Sequence, residues 1–155
     1  MTYVQFYILA SDKVEDRWHY TEQLVLQSLR SGKAVYVHTA CSTDTRALMQ
    51  LLVNRGDGNT ALSLSGSTAR STDKNDSVDA DELVFIDHKG EPESTRQVLI
   101  NLADEVPCFF SSFETTLEVI HAEPKAKAVG REHYRYYQER GYPLRHHEIQ
   151  PELAL

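Results

Sequence analysis

Apolar positions in this chain fall into short runs rich in β-formers, separated by longer stretches with helical spacing. Val4 to Leu9 (VQFYIL) is such a run and reads as a strand. Ser11-Asp12 then offers an N-cap, with Glu15 three residues after Asp12. A helix is predicted to run to about Arg30 on Trp18, Leu24, Val25 and Leu29 and to stop at Gly32. Ala34 to His38 (AVYVH) reads as a second strand. Ser42 or Thr43 caps a second helix, which carries Ala47, Leu48, Leu51 and Leu52 and ends at Asn54-Arg55-Gly56. Strands alternating with helices predict a single α/β domain: a three-layer arrangement with a largely parallel central sheet flanked by helices.

The alternation then breaks. From Arg55 to about Asp81 the residues are mostly Gly, Ser, Thr, Asn and Asp. Connections that long are uncommon in compact domains, so residues 55–81 are expected to form a mobile loop, with Leu62 and Leu64 as a short strand inside it. Order returns with strands at Leu83–Asp87 (LVFID), Gln97–Leu102 (QVLINL) and Leu117–His121 (LEVIH), the last of these read as the final strand. Phe109, Phe110 and Phe113 sit on a short helix or turn after Val106-Pro107, a crowding that predicts one exposed Phe. The polar tail from Arg145 is expected to fray. The domain is expected to span residues 1–149 and to leave 150–155 outside it.

Pro124 to Leu144 (PKAKAVGREHYRYYQERGYPL) is the most patterned stretch of the chain. Pro124 suits a first helical turn, and Gly141 followed by Pro143 suits a stop. At about 100° per residue, Lys127, Arg131 and Arg135 fall near 0°, 40° and 80°, with Tyr134 beside them near −20°. Glu132 and Glu139 lie off this stripe, near 140° and 120°, so the helix does not neutralise it with its own acids. Ala126, Val129, His133 and Tyr137 form a separate flank suited to docking on a core. Spacing alone leaves two readings open, a solvated face and a cationic groove for an acidic partner.

Charge sharpens that choice. The chain of 155 residues carries 16 Lys and Arg against 23 Asp and Glu, a net charge of −7. A general nucleic-acid binder is usually basic overall, so a basic stripe on an acidic body points to a selective contact. No apolar run approaches the roughly 20 residues of a membrane span. The two cysteines, Cys41 and Cys108, form no CxxC pair and read as thiols of a reducing, cytoplasmic compartment.

Motifs for chemistry are sparse. Gly56 to Ala61 matches G-x-G-x-x-A, but it follows a helix and opens a polar loop, which is the wrong context for a dinucleotide fingerprint. The seven histidines form no metal set, and His38, His121 and His133 read as satisfied structural residues. His38, Thr39 and Asp87 fall at strand ends, so an α/β enzyme or nucleotide-binding domain using the carboxyl edge of the sheet is the alternative reading. Tyr134, Tyr136 and Tyr137 raise a third, direct stacking on single-stranded DNA, which the acidic charge opposes.

QVLINLADEVPCFFSSFETTLEVI (97–120), followed by REHYRYYQERGYPL (131–144), resembles the chi subunit of bacterial DNA polymerase III. VQFYIL, SGKAVYVHT and ALMQLL extend the resemblance through the N-terminal half. It implies a non-catalytic clamp-loader accessory subunit in the cytoplasm, with a fold like nucleotide-binding domains but no nucleotide, cofactor or metal. The holoenzyme's polymerase activity would belong to other subunits. The implied partners are the acidic C-terminal tail of single-stranded-DNA-binding protein and the psi subunit. DNA would be contacted only indirectly, and no membrane would be involved. The family's tail-binding positions match Lys127, Arg131 and Arg135, with Ile120 at an apolar pocket position and Tyr134 and Tyr142 as further candidates for that pocket. Val53 and Ala61 stand where family members often carry Trp and Phe on the psi side. Their small side chains argue either against psi binding or for a psi partner with a different surface.

Overall fold

The computed structural model describes residues 2–55, 64–65, 84–87 and 97–149. Seven strands among them form one sheet: β1 (Tyr3–Leu9), β2 (Val35–His38), β3 (Leu64–Ser65), β4 (Val84–Asp87), β5 (Val98–Asn101), β6 (Thr115–Ile120) and β7 (Leu144–Ile149). Their order across the sheet is β3-β4-β2-β5-β6-β1-β7, and every pairing is parallel. The helices are α1 (Val14–Arg30), α2 (Ser42–Arg55) and α3 (Pro124–Glu139), with a single 3-10 turn at Phe110–Ser112. The expected three-layer α/β architecture is therefore observed.

Both faces of the sheet are covered, which is why its central strands read as unbroken apolar runs. On one face Val35, Val37, Val98, Ile100, Leu117 and Val119 pack under Leu24 and Val25 of α1 and Leu48 and Leu52 of α2. On the other, Val4, Phe6, Tyr36, Leu99 and Ile120 meet Tyr137 of α3 and the three Phe of the β5–β6 connection. That connection has no α-helix, and its aromatics fill the layer beside α3 instead. Phe109, Phe110 and Phe113 are consequently all buried, contrary to the expectation of one exposed ring. Phe113 stacks on Tyr36 with centroids 6.2 Å apart, and Phe110 meets Tyr137 edge-on at 5.1 Å.

Four further expectations are corrected. The N-cap of α1 is Lys13 rather than Ser11 or Asp12, and its side chain makes no capping bond. The Ser11 hydroxyl instead donates to the Asp16 carboxylate and accepts from Lys13 N, tying down the turn before the helix. Ser42 is already the first residue of α2, so it does not cap from outside. The tail does not fray from Arg145, and β6 is not the last strand. Residues Leu144–Ile149 form β7, in register with Val4–Leu9 of β1. An edge strand tolerates a polar composition because one side faces water, and charged residues guard its open edge. Most of the 55–81 loop, the 56–61 glycine motif and residues 150–155 lie outside the described residues; Leu64–Ser65 is the strand expected near Leu64.

The basic helix follows its sequence signals closely. Pro124 is its first residue, and the Glu123 carboxylate accepts from Lys125 N at 2.8 Å and Ala126 N at 3.3 Å. That bond satisfies two amides that the first turn cannot pair internally. Gly141, at φ +80°, turns the chain out of the helix toward β7.

Candidate functional site

An open groove of about 270 Å³ runs between α3 and the outer half of the sheet. Phe6 and Ile8 of β1 and Ile120 of β6 make its apolar floor. Lys127, Gly130, Arg131 and Tyr134 make its helical wall. Lys127 and Arg131 are exposed, as is Arg135 one turn beyond Arg131. Among the described residues, none of the three cations makes an ion pair or a side-chain hydrogen bond. Arg140 differs: its guanidinium lies 3.6 Å from the centroid of Tyr136 and caps the helix end.

Two of the slot candidates read from the sequence meet here. Ile120 forms floor, and Tyr134 leans over Phe6 with centroids 5.3 Å apart. Tyr142 does not join them. Its ring packs edge-on against Phe110 at 4.9 Å, because the turn at Gly141 directs it into the aromatic layer under the end of α3. Val53 belongs to α2, on the opposite face of the sheet, and its side chain is not among those described. Ala61 lies outside the described residues.

Sequence reasoning missed Phe6, Ile8 and Gly130 as site residues. Gly130 is buried in the middle of α3, where glycine disfavours helix by about 1 kcal/mol relative to Ala. Its place follows from contact: a Cβ there would overlap Cδ1 of Ile120. Only glycine lets the helix approach β6 this closely, and a lone glycine inside a helical pattern was the available signal.

The helix is anchored from below by a buried polar network, also missed. Glu118 of β6 is 2 % exposed. Its Oε2 accepts from the Tyr137 hydroxyl at 2.7 Å and from Asn101 Nδ2 at 2.9 Å. Its Oε1 lies 2.9 Å from His133 Nδ1, while His133 Nε2 donates to the Asp104 carbonyl at 2.8 Å. With an acceptor at each ring nitrogen, His133 is suited to the doubly protonated form. Burial pushes its pKa down, but the hydrogen bond and charge of Glu118 outweigh this and raise it. Burial, with Glu118 beside it, raises Tyr137 strongly, so its hydroxyl stays a donor.

Beyond the Gly130–Ile120 wall, away from the groove, lies a smaller cavity of about 140 Å³. Arg17 enters it from α1 and donates to the carbonyls of Val119 at 2.8 Å and Leu102 at 3.3 Å, pinning α1 over the ends of β5 and β6. Burial lowers the Arg17 pKa, against the opposing pull of Glu118, Asp44 and Asp104. The cavity mixes Arg17 and Lys125 with Asp104, Glu118 and Glu123 and so favours neither sign of ligand. His121 lines it too. Its Nδ1 is buried without a hydrogen-bond partner among the described residues, unlike the satisfied histidine expected.

At the carboxyl edge proposed for enzyme chemistry, Thr39 is buried and bonded to the Thr45 hydroxyl, which ties the β2–α2 turn together. His38 packs edge-on to Phe109 at 5.5 Å. The side chain of Asp87 is not described. No group of three or more metal-ligating side chains occurs among the described residues, and no helix there is long and apolar enough to cross a membrane.

Comparison with known proteins bears on the same residues. A family model described as "DNA polymerase III chi subunit, HolC" matches residues 1–145, which include the groove's apolar floor and its helical wall. The DNA polymerase III subunit chi of Pseudomonas aeruginosa is 30% identical over 150 residues, covering 96% of this chain and 98% of that protein.

Proposed function

The chain belongs to the DNA polymerase III chi subunit family, and we propose that its groove binds the acidic C-terminal tail of single-stranded-DNA-binding protein. In this reading it acts as a non-catalytic accessory subunit of the clamp-loader complex, in the cytoplasm, and meets DNA only through the coating protein. One observation carries the reading: Lys127, Arg131 and Arg135 stand exposed along α3, unpaired among the described residues, above an apolar floor of Phe6, Ile8 and Ile120. A peptide that ends in acids and an apolar residue needs both features. The guanidinium of Arg131 can fork onto a carboxylate, Lys127 adds a point charge, and the floor takes the apolar side chain.

A psi partner would complete the link to the replisome. Val53 is the psi-side candidate on α2, and α2 packs on the sheet face opposite α3. A partner docked there leaves the groove free, so both contacts can be held at once.

Titration calorimetry with an acidic tail peptide tests the reading. Arg131→Ala is expected to weaken binding at least tenfold, about 1.4 kcal/mol, the scale of one charge-assisted contact. Equal affinity of the variant and the parent protein would overturn it.

A further inference from the structure

We infer that β7 is the second bank of this groove, and that His146 and Glu148 set which end of an acidic peptide lies where. The inference rests on the tail-binding reading above.

The geometry starts from register. In the parallel pair β1–β7, His146 lies beside Phe6 and Glu148 beside Ile8. Paired residues of adjacent strands point to the same face. Contacts on both faces confirm this phase: Leu144 packs with the α3-side core, Ile149 packs with the α1-side core, and His147 Nε2 lies 2.9 Å from Gln5 Oε1. His146 and Glu148 therefore share the face of the groove floor, across from α3. Both are exposed, and neither makes a hydrogen bond or ion pair among the described residues.

The two ends of the groove then differ in charge. α3 runs back from the end of β6 toward the start of β7, so Lys127 stands nearer the Ile8 end. Tyr134 marks the Phe6 level through its ring contact. At the Phe6 end Arg131 and Arg135 on the helix face His146 on the strand, and among the described residues no β7 carboxylate opposes them. At the Ile8 end Lys127 faces Glu148, and the two charges offset each other. Acidic side chains are thus held at the Arg131–His146 end. The apolar terminal residue goes to Ile8 and Ile120, where Lys127 can hold a single terminal carboxylate and Glu148 repels a second one. Glu148 is a specificity residue by repulsion, which discriminates against the wrong occupant rather than strengthening the right one.

The test uses two synthetic peptides, an Asp-rich segment ending in Phe and the same segment ending in Asp, titrated by calorimetry into the full chain. Glu148→Gln is expected to shrink the preference for the Phe-ended peptide about threefold, the scale of one partly screened surface charge pair. His146→Ala removes an exposed imidazole hydrogen-bond donor and is expected to weaken both peptides about threefold and leave their ratio unchanged. Arg131→Ala is the reference. If it weakens both peptides while Glu148→Gln leaves the preference as it was, the inference falls and the tail-binding reading stands. If Arg131→Ala itself changes nothing, the reading falls and takes the inference with it. Both β7 residues are exposed, so thermal melts matching the parent protein show that neither change acts through folding.

Discussion

Gly130 of α3 lies against Ile120 of β6 so closely that a methyl group on residue 130 would overlap the Ile120 Cδ1 atom. The pair forms the wall between the apolar groove and the polar cavity behind it. Gly130→Ala sets two effects against each other. Helix propensity favours Ala by about 1 kcal/mol, while overpacking typically costs about 1–3 kcal/mol. The overlap involves the far end of a side chain, so Ile120 can turn away, and the open groove is where room exists. The expected result is a melting temperature lower by about 3 °C, consistent with a net loss near 1 kcal/mol in a domain this size. Tail-peptide affinity should fall several-fold because Ile120 obstructs the floor. A variant that binds as the parent does would show that the floor is not part of the contact.

Buried Glu118 should be the most sensitive point under the helix. Tyr137→Phe removes one donor to its Oε2 and should cost about 2 kcal/mol, the range for a hydrogen bond to a charged group. His133→Leu removes its hydrogen-bonded basic partner and leaves a buried carboxylate half-satisfied, a change that typically costs about 3–5 kcal/mol. Urea unfolding of both variants checks the order. If His133→Leu proves the milder of the two, the His133–Glu118 contact is not the stronger anchor.

Stability should respond to pH through two histidines with opposite signs. His133 titrates above its ordinary value of 6.5, so its contribution is complete below 6.5 and is lost as pH rises through the raised value. His121 titrates below 6.5, because burial and then the nearby Arg17 disfavour its charge. Its contribution is complete above 6.5 and is lost as pH falls through the depressed value. Together they place a stability maximum near pH 6.5. Urea midpoints between pH 5 and 9 should show it, with His133→Gln flattening the upper limb and His121→Leu the lower. A parent protein whose midpoint still climbs from pH 7 to 8 would contradict the assignment for His133.

The stripe predicts a salt response. Lys127, Arg131 and Arg135 are exposed, so their pull on an acidic peptide should weaken as the Debye length shrinks from about 10 Å at 0.1 M salt to about 3 Å at 1 M. Arg135→Ala should flatten that dependence and cost less than Arg131→Ala, since Arg135 lies beyond the groove wall. Affinity that is indifferent to salt would mean the apolar floor holds the peptide without the cations.

Much of this molecule is readable from one-dimensional periodicity. The phase of Lys127, Arg131 and Arg135 on one face, and of His133 and Tyr137 on another, follows from 3.6 residues per turn and needs no fold. So do the β-α-β-α opening and the bounds of α3, where Pro124 and Gly141 act on the local backbone. β7 was not readable, because its hydrogen bonds go to a strand about 140 positions earlier and its polar residues answer to an edge rather than to a core. The same holds for the groove floor. Phe6 and Ile8 are apolar in any strand, and only the chain reversal through α3 puts them under the cations. Gly130 has its reason only in Ile120 opposite it, and Glu118 only in Asn101, His133 and Tyr137, which close around it. Local geometry determines which residues share a face. Which faces meet depends on contacts between distant segments, and these the tertiary fold alone decided.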